Sequence, residues 1–398
     1  MSDKLNIYIL SDYRVGAADG LAEFNFQTTN LLRDEFNFHF IEFDKDKPAS
    51  FYKTQQIDGF QILKFGTKHL QFMRLPKPFI SWLKSCPVPN TIFHLHHIFN
   101  LRNYLVSRQL VKYNLPYLIT PHDSFVYSEG YRMQRPLIKR LYRDTFVYFF
   151  DKYVLDHAKL IHGLTEQCPP CLRRITKTPI SVVLNQVNDI NLRFDPEKIK
   201  QQVCFIGRFD IFRKGIDLAL QAYKIFKQKN NSLNTTFILI GPANSSSQIQ
   251  SEQICKDLEL EIGKDVILPG KISVEDRNRI LSESLVYMQL SRTEGFGLSI
   301  AQALCCYKPV IVSKQVPIHD KILLHKAGFA VNNPEEASLA LETILNLSAK
   351  DYYEMATNAR RCYDQEFHPT VIKPQLINLY NRTMELSLTP LINHKLCL

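Results

Sequence analysis

The chain has 398 residues, of which 45% are hydrophobic and 22% charged, a composition typical of a globular protein long enough for two domains. The formal charge is +10, and residues 48–190 hold 19 Lys and Arg against 8 Asp and Glu. No zinc-finger spacing, aromatic-basic ribonucleoprotein motif or long basic helix accompanies this charge, so we do not expect nucleic-acid binding. No apolar run approaches the roughly 20 residues of a membrane span, and the first one is too short for a signal peptide, so we expect a cytoplasmic protein.

Short apolar runs alternate with amphipathic segments of helical length along the first half of the chain. The predicted strands are residues 6–10, 38–43, 60–65, 92–95, 117–120, 160–163 and 181–184, and the predicted helices are 21–36, 101–113 and 136–157. Strands that alternate with helices indicate a parallel sheet built from right-handed crossovers.

The second half repeats this pattern. Its predicted strands are residues 203–206, 236–240, 266–268, 285–290 and 309–312, and its predicted helices are 216–229, 248–260, 273–284 and 297–307. The polar stretch 185–200 lacks periodicity and separates the two series. We therefore predict an α/β protein of two doubly wound, Rossmann-like domains with a cleft between them, residues 1–190 and 191–371, and a C-terminal helix (about 372–398) that packs back on the first domain.

Nine cysteines are scattered along the chain, which argues against a disulfide framework. Cys168 and Cys171 have the spacing of a metal or redox pair, but no second ligand pair stands at a suitable distance. We interpret the pair as structural, with a metal or redox role as the alternative.

The loop after the predicted strand 203–206 contains Gly207, Arg208, Lys214 and Gly215. A glycine directly after a strand lets the backbone approach a ligand closely. Arg208 offers bidentate hydrogen bonds and Lys214 a mobile point charge, and both are suited to a diphosphate. Basic loop residues are also common on ordinary surfaces, so this loop alone does not define a site.

The loop after the predicted strand 285–290 reads Ser-Arg-Thr-Glu-Gly-Phe-Gly-Leu-Ser from Ser291 and opens a helix. Gly295 and Gly297 leave backbone N–H groups free to meet an anion at the positive end of that helix. Glu294 precedes this phosphate cradle and suits sugar hydroxyls better than phosphate. The alternative is a glycine turn in which Glu294 acts as an acid near the helix start.

Together these segments resemble the retaining glycosyltransferases of the GT-B fold, glycosyl transferases group 1, as found in bacterial surface-polysaccharide synthesis. The blocks that carry the resemblance are 203–223, 235–242, 266–273 and 291–313, with weaker agreement at 91–99 and 115–124. The resemblance implies transfer of a sugar from a nucleoside-diphosphate sugar to a glycan or lipid-linked saccharide, in O-antigen, lipopolysaccharide or capsule synthesis, with no metal and no further cofactor.

The resemblance also implies the roles of individual residues. Arg208 and Lys214 bind the donor diphosphate, Glu294 contacts the transferred sugar, and His122 faces the reacting centre from the first domain. The remaining donor-binding residues implied are Gly207, Gly241, Lys271, Ile272, Gly295, Phe296, Gly297, Leu298 and Gln302. The acceptor-binding residues implied are Gly16, His122 and Asp123.

This sequence departs from the family pattern at three places. Gln302 stands where the family has a second glutamate, which removes a charge-assisted bond to the ribose hydroxyls. Asp123 replaces a glycine after His122, and the N-terminal loop has Gly16 and Gly20 in place of paired glycines.

Two basic-aromatic segments of the first half, residues 68–84 and 131–143, suggest peripheral contact with an anionic membrane at the inner face of the cell. Ordinary basic helices with a packed apolar face are the alternative. For the whole chain, three other functions stay open: an inverting transferase, an epimerase of the same fold, and a non-catalytic sugar-nucleotide-binding or scaffold subunit. The missing G-x-G-x-x-G fingerprint disfavours a Rossmann dehydrogenase.

Overall fold

The computed structural model describes residues 4–11, 20–68, 70, 74–122, 136–230 and 234–388. The chain divides into two compact units, which we call unit 1 (Met1–Leu184 with Ile372–Leu398) and unit 2 (Asn185–Val371). Both units contain a mainly parallel sheet with helices, so the predicted α/β class is confirmed.

Unit 1 contains an eight-stranded sheet in the order β3-β4-β2-β1-β5-β6-β7-β8. Its strands are β1 (Asn6–Leu10), β2 (Asn37–Pro48), β3 (Tyr52–Ile57), β4 (Phe60–Lys68), β5 (Thr91–His96), β6 (Tyr117–Thr120), β7 (Leu160–Gly163) and β8 (Ile180–Val182). Its helices are α1 (Gly20–Leu32), α2 (Lys77–Ser85), α3 (Leu101–Lys112), α4 (Leu137–Phe146), α5 (Lys152–His157), α6 (Cys168–Leu172) and, after unit 2, α15 (Pro369–Leu388). Strands β5, β6 and β7 are buried along their whole length, as expected of parallel strands covered on both faces.

Unit 2 contains a six-stranded parallel sheet in the order β11-β10-β9-β12-β13-β14. Its strands are β9 (Lys200–Ile206), β10 (Thr236–Ile240), β11 (Val266–Gly270), β12 (Ser284–Gln289), β13 (Val310–Ser313) and β14 (Gly328–Val331). Its helices are α7 (Ile211–Lys214), α8 (Ile216–Lys229), α9 (Ser245–Asp257), α10 (Val274–Glu283), α11 (Leu298–Cys305), α12 (His319–Leu324), α13 (Pro334–Leu345) and α14 (Ala349–Glu366), with a 3-10 turn at Pro196–Lys198.

Strand β3 is absent from the sequence-based prediction, because its residues Tyr-Lys-Thr-Gln-Gln-Ile lack apolar alternation. It pairs antiparallel with β4 at the edge of the sheet and is mostly exposed. Asp58 and Gly59 connect the two strands and both have positive φ (51° and 85°). An Asp-Gly pair in this conformation is a strong hairpin signal, and it is the signal that identifies β3.

The stretch predicted as one helix over 136–157 is interrupted by a π-helical segment, Val147–Asp151, between α4 and α5. Asp151 is buried there, and its carboxylate accepts the backbone N–H of Phe99 at 3.0 Å. A single π turn changes which side chains of the helix face the core.

Unit 1 ends at Leu184 rather than at the predicted residue 190, because the following residues are bound to unit 2. Asp189 forms a two-point ion pair with Arg360 on α14 (2.6 and 3.1 Å), and these hydrogen bonds lower the pKa of Asp189. The hydroxyl of Tyr363, also on α14, donates to the carbonyl of Val187 at 2.8 Å. The polar linker therefore begins as part of the second unit.

Candidate active site

Unit 2 brings the two predicted loops together at the carboxyl ends of β9 and β12, which are neighbours in its sheet. The strand order reverses here, since β10 and β11 continue on one side and β13 and β14 on the other. Open α/β sheets bind ligands at this kind of reversal. The candidate site of unit 2 therefore lies where such a fold places its ligands.

Gly215 holds the first loop against the second. It has φ of +62° between α7 and α8, and a Cβ at this position would lie 1.8 Å from the carbonyl oxygen of Leu290. Across the same junction the backbone N–H of Arg292 donates to the carbonyl of Arg213 at 2.9 Å. Only glycine fits so close an approach, and the approach places Lys214 next to the second loop.

The basic side chain of Arg292 is committed to structure. Its guanidinium donates two hydrogen bonds to Asp217 (2.8 and 2.7 Å) and one to the carbonyl of Phe212 (2.9 Å), and it stacks over the Phe212 ring. This fork-to-carboxylate pairing fixes the start of the second loop to α7 and α8.

Lys214 and Glu294, which the sequence assigned to phosphate and sugar respectively, contact each other. Lys214 Nζ lies 2.5 Å from Glu294 Oε1, and both side chains are largely buried. Arg208 is exposed, and within the described part of the chain its guanidinium makes no hydrogen bond or ion pair. The two cations are therefore not equivalent: Arg208 is available to an anion, and Lys214 is shared with a carboxylate.

Glu294 also accepts hydrogen bonds from two buried residues that sequence reasoning missed. Gln289 Nε2 lies 2.5 Å and Ser291 Oγ 3.1 Å from the same oxygen, Oε1. Gln289 is the last residue of β12 and is fully buried. A polar residue at the end of an otherwise apolar strand is the sequence signal that marks it.

The turn Gly295 to Leu298 presents backbone rather than side chains. Gly297 caps α11 with φ of +108°, so the helix starts at Leu298. Phe296, expected to contact the donor, is buried and its ring packs edge-to-face on Phe367 at 5.7 Å. Its side chain therefore anchors the turn in the core of unit 2, which leaves only its backbone to a ligand.

The other predicted donor residues lie at the same edge of the sheet. The N–H of Gly241 donates to the carbonyl of Gly270 at 2.9 Å, and a Cβ on Gly241 would lie 1.9 Å from the carbonyl oxygen of Gly207. Lys271 is exposed and Ile272 half-buried directly after β11. Gln302 is half-buried on α11, and its side chain has no hydrogen-bond partner among the described residues.

In unit 1, His122 follows β6 with a positive φ of 38°. Its Nε2 shares a hydrogen bond of 2.9 Å with Nδ1 of His96, at the end of β5. Burial and the neighbouring imidazoles lower the pKa of both rings well below the usual value. Both are therefore neutral at pH 7. The other predicted acceptor residues, Gly16 and Asp123, lie outside the described residues.

A second series of hydrogen-bonded side chains, which we call the imidazole chain, lies deeper in unit 1. Donor and acceptor can be assigned in one consistent way for each of its hydrogen bonds. His162 Nε2 lies 2.9 Å from the carbonyl of Val183, so this nitrogen carries the proton and Nδ1 accepts from the Thr120 hydroxyl at 2.9 Å. Thr120 in turn accepts from His94 Nε2 at 2.7 Å, and His94 Nδ1 accepts from the Tyr380 hydroxyl at 3.0 Å. The chain ties α15 to the sheet by neutral hydrogen bonds.

Helix α4 and the π segment after it present an apolar face to solvent. Six side chains on this face are between 59% and 81% exposed: Leu137, Ile138, Leu141, Tyr142, Tyr148 and Phe149. Lys139 is exposed beside them, whereas Arg140 and Arg143 are partly buried and Arg143 stacks over Phe99. An ordinary basic helix with a packed apolar face, the alternative considered above, therefore does not describe α4. Its apolar side is exposed to solvent, and two of its arginines are partly buried. We call these six residues the α4 apolar face.

The other segment proposed for a membrane, residues 68–84, serves the core of unit 1 in its described part. Phe79 is fully buried, and Trp82 packs against Tyr8 and Phe65. Phe72 and the first residues of 131–143 lie outside the described residues. Among the helices that the structure describes, none is long and apolar enough to cross a membrane.

Cys168, the first residue of α6, and Cys171, one residue before its end, are not joined in a disulfide, and Cys168 is buried. Within the described ranges, no group of three or more His, Cys, Asp or Glu residues is placed to hold a metal ion. The thiol of Cys171 has a pKa raised by burial, which disfavours the reactive thiolate.

Comparisons with known proteins find similar sequences. Residues 190–362 match the family model of glycosyl transferases group 1. The chain is 21% identical over 209 residues to a putative glycosyltransferase of Acidianus filamentous virus 2 (48% of this chain, 60% of that protein). It is 26% identical over 203 residues to a trehalose synthase of Pyrococcus horikoshii (49% of this chain, 46% of that protein). The matched segments thus span about half the length of these curated relatives.

Solved structures resemble nearly the whole chain. Sucrose-phosphate synthase from Thermosynechococcus elongatus aligns with a TM-score of 0.73 at 18% identity, over 96% of this chain and 100% of that one. Anabaena HepE in complex with UDP and glucose aligns at 0.70 with 14% identity (95% and 99%). WaaG, a glycosyltransferase involved in lipopolysaccharide biosynthesis, aligns at 0.69 with 13% identity (94% and 99%). The chain therefore has the two-domain α/β fold of GT-B glycosyltransferases.

Because the imidazole chain is buried and neutral, we predict that the free energy of unfolding of unit 1 decreases on acidification. Burial lowers the pKa of His162 to about 4, below its value of about 6.5 in an unfolded chain. Between these values only the unfolded state binds the proton, so stability falls as the pH drops from 6.5 to 4, by up to about 1.4 kcal/mol per pH unit for this group. Urea unfolding at several pH values measures the slope.

The variant His162→Gln keeps a donor for the Val183 carbonyl but cannot take a proton, so its free energy of unfolding should depend less steeply on pH in this window. His157→Gln, on an exposed position of α5, is the matched control for loss of one imidazole. Equal slopes for the wild type and His162→Gln would contradict the assignment.

Proposed function

We propose that this chain is a retaining glycosyltransferase that moves a sugar from a nucleoside-diphosphate sugar to a glycan or lipid-linked saccharide acceptor. The observation that carries the proposal is the convergence of Lys214, Glu294 and the start of α11 at the strand-order reversal of unit 2. Cations and helix amides suit a diphosphate, and a carboxylate suits sugar hydroxyls, so one loop junction provides for both halves of a nucleotide sugar.

Departure of the nucleoside diphosphate requires compensation of the charge that develops on its phosphate. Arg208, Lys214 and the amides from Gly295 to Leu298 supply it as fixed or mobile positive groups, so the reaction needs no metal ion. Chelation of divalent cations is therefore expected to leave turnover unchanged.

Retention follows if the acceptor hydroxyl attacks the anomeric carbon from the face that the leaving group vacates. The bond from that carbon to the phosphate oxygen breaks, its electron pair stays on the oxygen, and the same oxygen takes the proton of the acceptor hydroxyl. Glu294 would then orient the sugar through its hydroxyls and need not form a covalent bond to it. The match to glycosyl transferases group 1 supports this pathway over inversion or epimerisation.

The substitution Lys214→Ala tests the donor site. It removes the mobile cation and should lower turnover by about 10²- to 10³-fold, the scale seen when one group that stabilises the leaving charge is lost. Release of nucleoside diphosphate from the nucleotide sugar measures turnover. Lys227→Ala is the matched control, because Lys227 pairs with Asp265 in unit 2 at a similar exposure (20%, against 18% for Lys214). Near-normal turnover in Lys214→Ala would remove this residue from the mechanism.

The acceptor side is proposed to work at the inner face of the cell membrane, in synthesis of a surface polysaccharide such as O-antigen, lipopolysaccharide or capsule. The likeness to WaaG and the α4 apolar face support this setting. An exposed apolar helix face with a lysine beside it can lie in the headgroup region of an anionic bilayer.

Liposome co-sedimentation tests the membrane contact. The full chain should bind vesicles that contain anionic lipid. The double variant Ile138→Ser with Leu141→Ser should bind about 10-fold or more weakly, because it removes apolar area that the bilayer would bury. Ile249→Ser, at an apolar position of α9 with comparable exposure (65%, against 81% for Ile138 and 59% for Leu141), is the control. Absence of binding by the wild type at low salt, or equal binding by both variants, would reject the α4 apolar face as the contact.

A further inference from the structure

Glu294 is connected to a buried polar cluster in which the side-chain amide of Gln289 can take only one orientation. The cluster consists of Tyr287, Gln289, Ser291 and Ser299, and the first three are fully buried. Gln289 stands at its centre, with its amide between hydroxyl groups on one side and the Glu294 carboxylate on the other.

The orientation of the Gln289 amide follows from the chemistry of its neighbours. A carboxylate oxygen only accepts hydrogen bonds, so Nε2 and not Oε1 must face Glu294. Nε2 uses its two hydrogens on Glu294 Oε1 (2.5 Å) and Ser291 Oγ (2.8 Å). Oε1 then accepts from the hydroxyls of Tyr287 (2.5 Å) and Ser299 (3.1 Å). Every hydrogen-bonding position of the amide is used, so it cannot flip.

All the donors that Glu294 finds address one of its two oxygens. Lys214, Gln289 and Ser291 converge on Oε1, while Oε2 accepts no hydrogen bond from any described residue. Three donors fix the plane of the carboxylate and leave Oε2 as the acceptor for a ligand hydroxyl.

A diphosphate beside Lys214 would share or take its ammonium group, and either way it weakens the contact of Lys214 with Glu294. A buried carboxylate that loses its single charged partner is strongly destabilised unless other donors remain. Gln289 and Ser291 are such donors, since each makes a hydrogen bond to the charged oxygen that does not depend on Lys214.

We propose that Gln289, with Ser291, is a positioning residue for sugar transfer: it keeps Glu294 hydrogen-bonded and oriented while Lys214 turns to the donor phosphate. The inference rests on the proposed function. It adds that a buried residue at the end of β12, which does not itself contact the sugar, determines the geometry of the sugar subsite. An apolar residue at position 289 would preserve the strand and the phosphate contacts but remove one of the donors that hold the carboxylate.

The test compares binding of the nucleotide with binding of the nucleotide sugar. Isothermal titration of the full chain with UDP and UDP-glucose, and with GDP and GDP-mannose, identifies the pair that the wild type binds. Gln289→Met, similar in length but without the amide, should keep the affinity for the nucleoside diphosphate within about 3-fold. The ratio of its affinity for the nucleotide sugar to its affinity for the nucleotide should fall about 10- to 100-fold. Turnover should fall by a similar factor, as expected for the loss of one hydrogen bond to a charged group.

Tyr287→Phe is the matched control. It removes a fully buried polar group, the Tyr287 hydroxyl, from the same cluster but leaves all three donors on Glu294. The extra affinity that the sugar provides should therefore remain. Ser291→Ala removes one donor from Glu294 itself and should give a smaller loss of the same kind, which keeps the test available if Gln289→Met folds poorly.

Three results would overturn the inference. One is an undiminished sugar contribution in both Gln289→Met and Ser291→Ala. Another is loss of nucleotide and nucleotide-sugar affinity in equal proportion, since that indicates general disruption of the site. The third is a wild type that binds none of the four probes and neither ADP nor ADP-glucose, which would refute the proposed function and the inference together, whereas the first two results leave the proposed function intact.

Discussion

The contact between Lys214 and Glu294 is the interaction on which the candidate site depends. A lysine and a carboxylate from two loops far apart in sequence meet because β9 and β12 are neighbours in the sheet and because Gly215 lets the first loop press on the end of the second. Both charges are largely buried, so their pairing has to be maintained or replaced by equally good partners. A donor diphosphate on Lys214 and sugar hydroxyls on Glu294 are replacements of that kind. The resting ion pair thus indicates which two charges a ligand must satisfy.

Much of this arrangement can be read from the sequence, because it depends on strand ends. The predicted strands 6–10, 117–120 and 236–240 have the observed bounds, and alternation with helices was enough to predict parallel sheets. Residues that follow parallel strands share one edge of a sheet, which is why Gly207, Gly241 and Glu294 could be assigned to one region. The turns at Gly215 and Gly297 could be predicted as well, because glycine at the start of a helix indicates a tight turn there.

The rest depends on side-chain packing, which periodicity does not report. Phe296 and Gly297 are adjacent in one motif, yet the phenylalanine faces the core and only the glycine turn is left for a ligand. Gln289 looked like the end of an apolar strand, and its role appears only when the donors around Glu294 are known. The outward apolar face of α4 was likewise hidden, because an amphipathic pattern gives the two faces of a helix but not which one is covered. His122 was predicted, whereas its pairing with His96 was not.

One measurement tests the central claim most directly. The purified chain is incubated separately with UDP-glucose, GDP-mannose and ADP-glucose, with and without a chelator, and the release of nucleoside diphosphate is followed over time together with the anomeric configuration of the sugar product by NMR. The account predicts release from at least one of these donors, unaffected by the chelator, with the first-formed product keeping the configuration of the donor. Release with inverted configuration would contradict the retaining pathway. An absence of both binding and release for every donor would contradict the assignment of Lys214 and Glu294 to a nucleotide-sugar site.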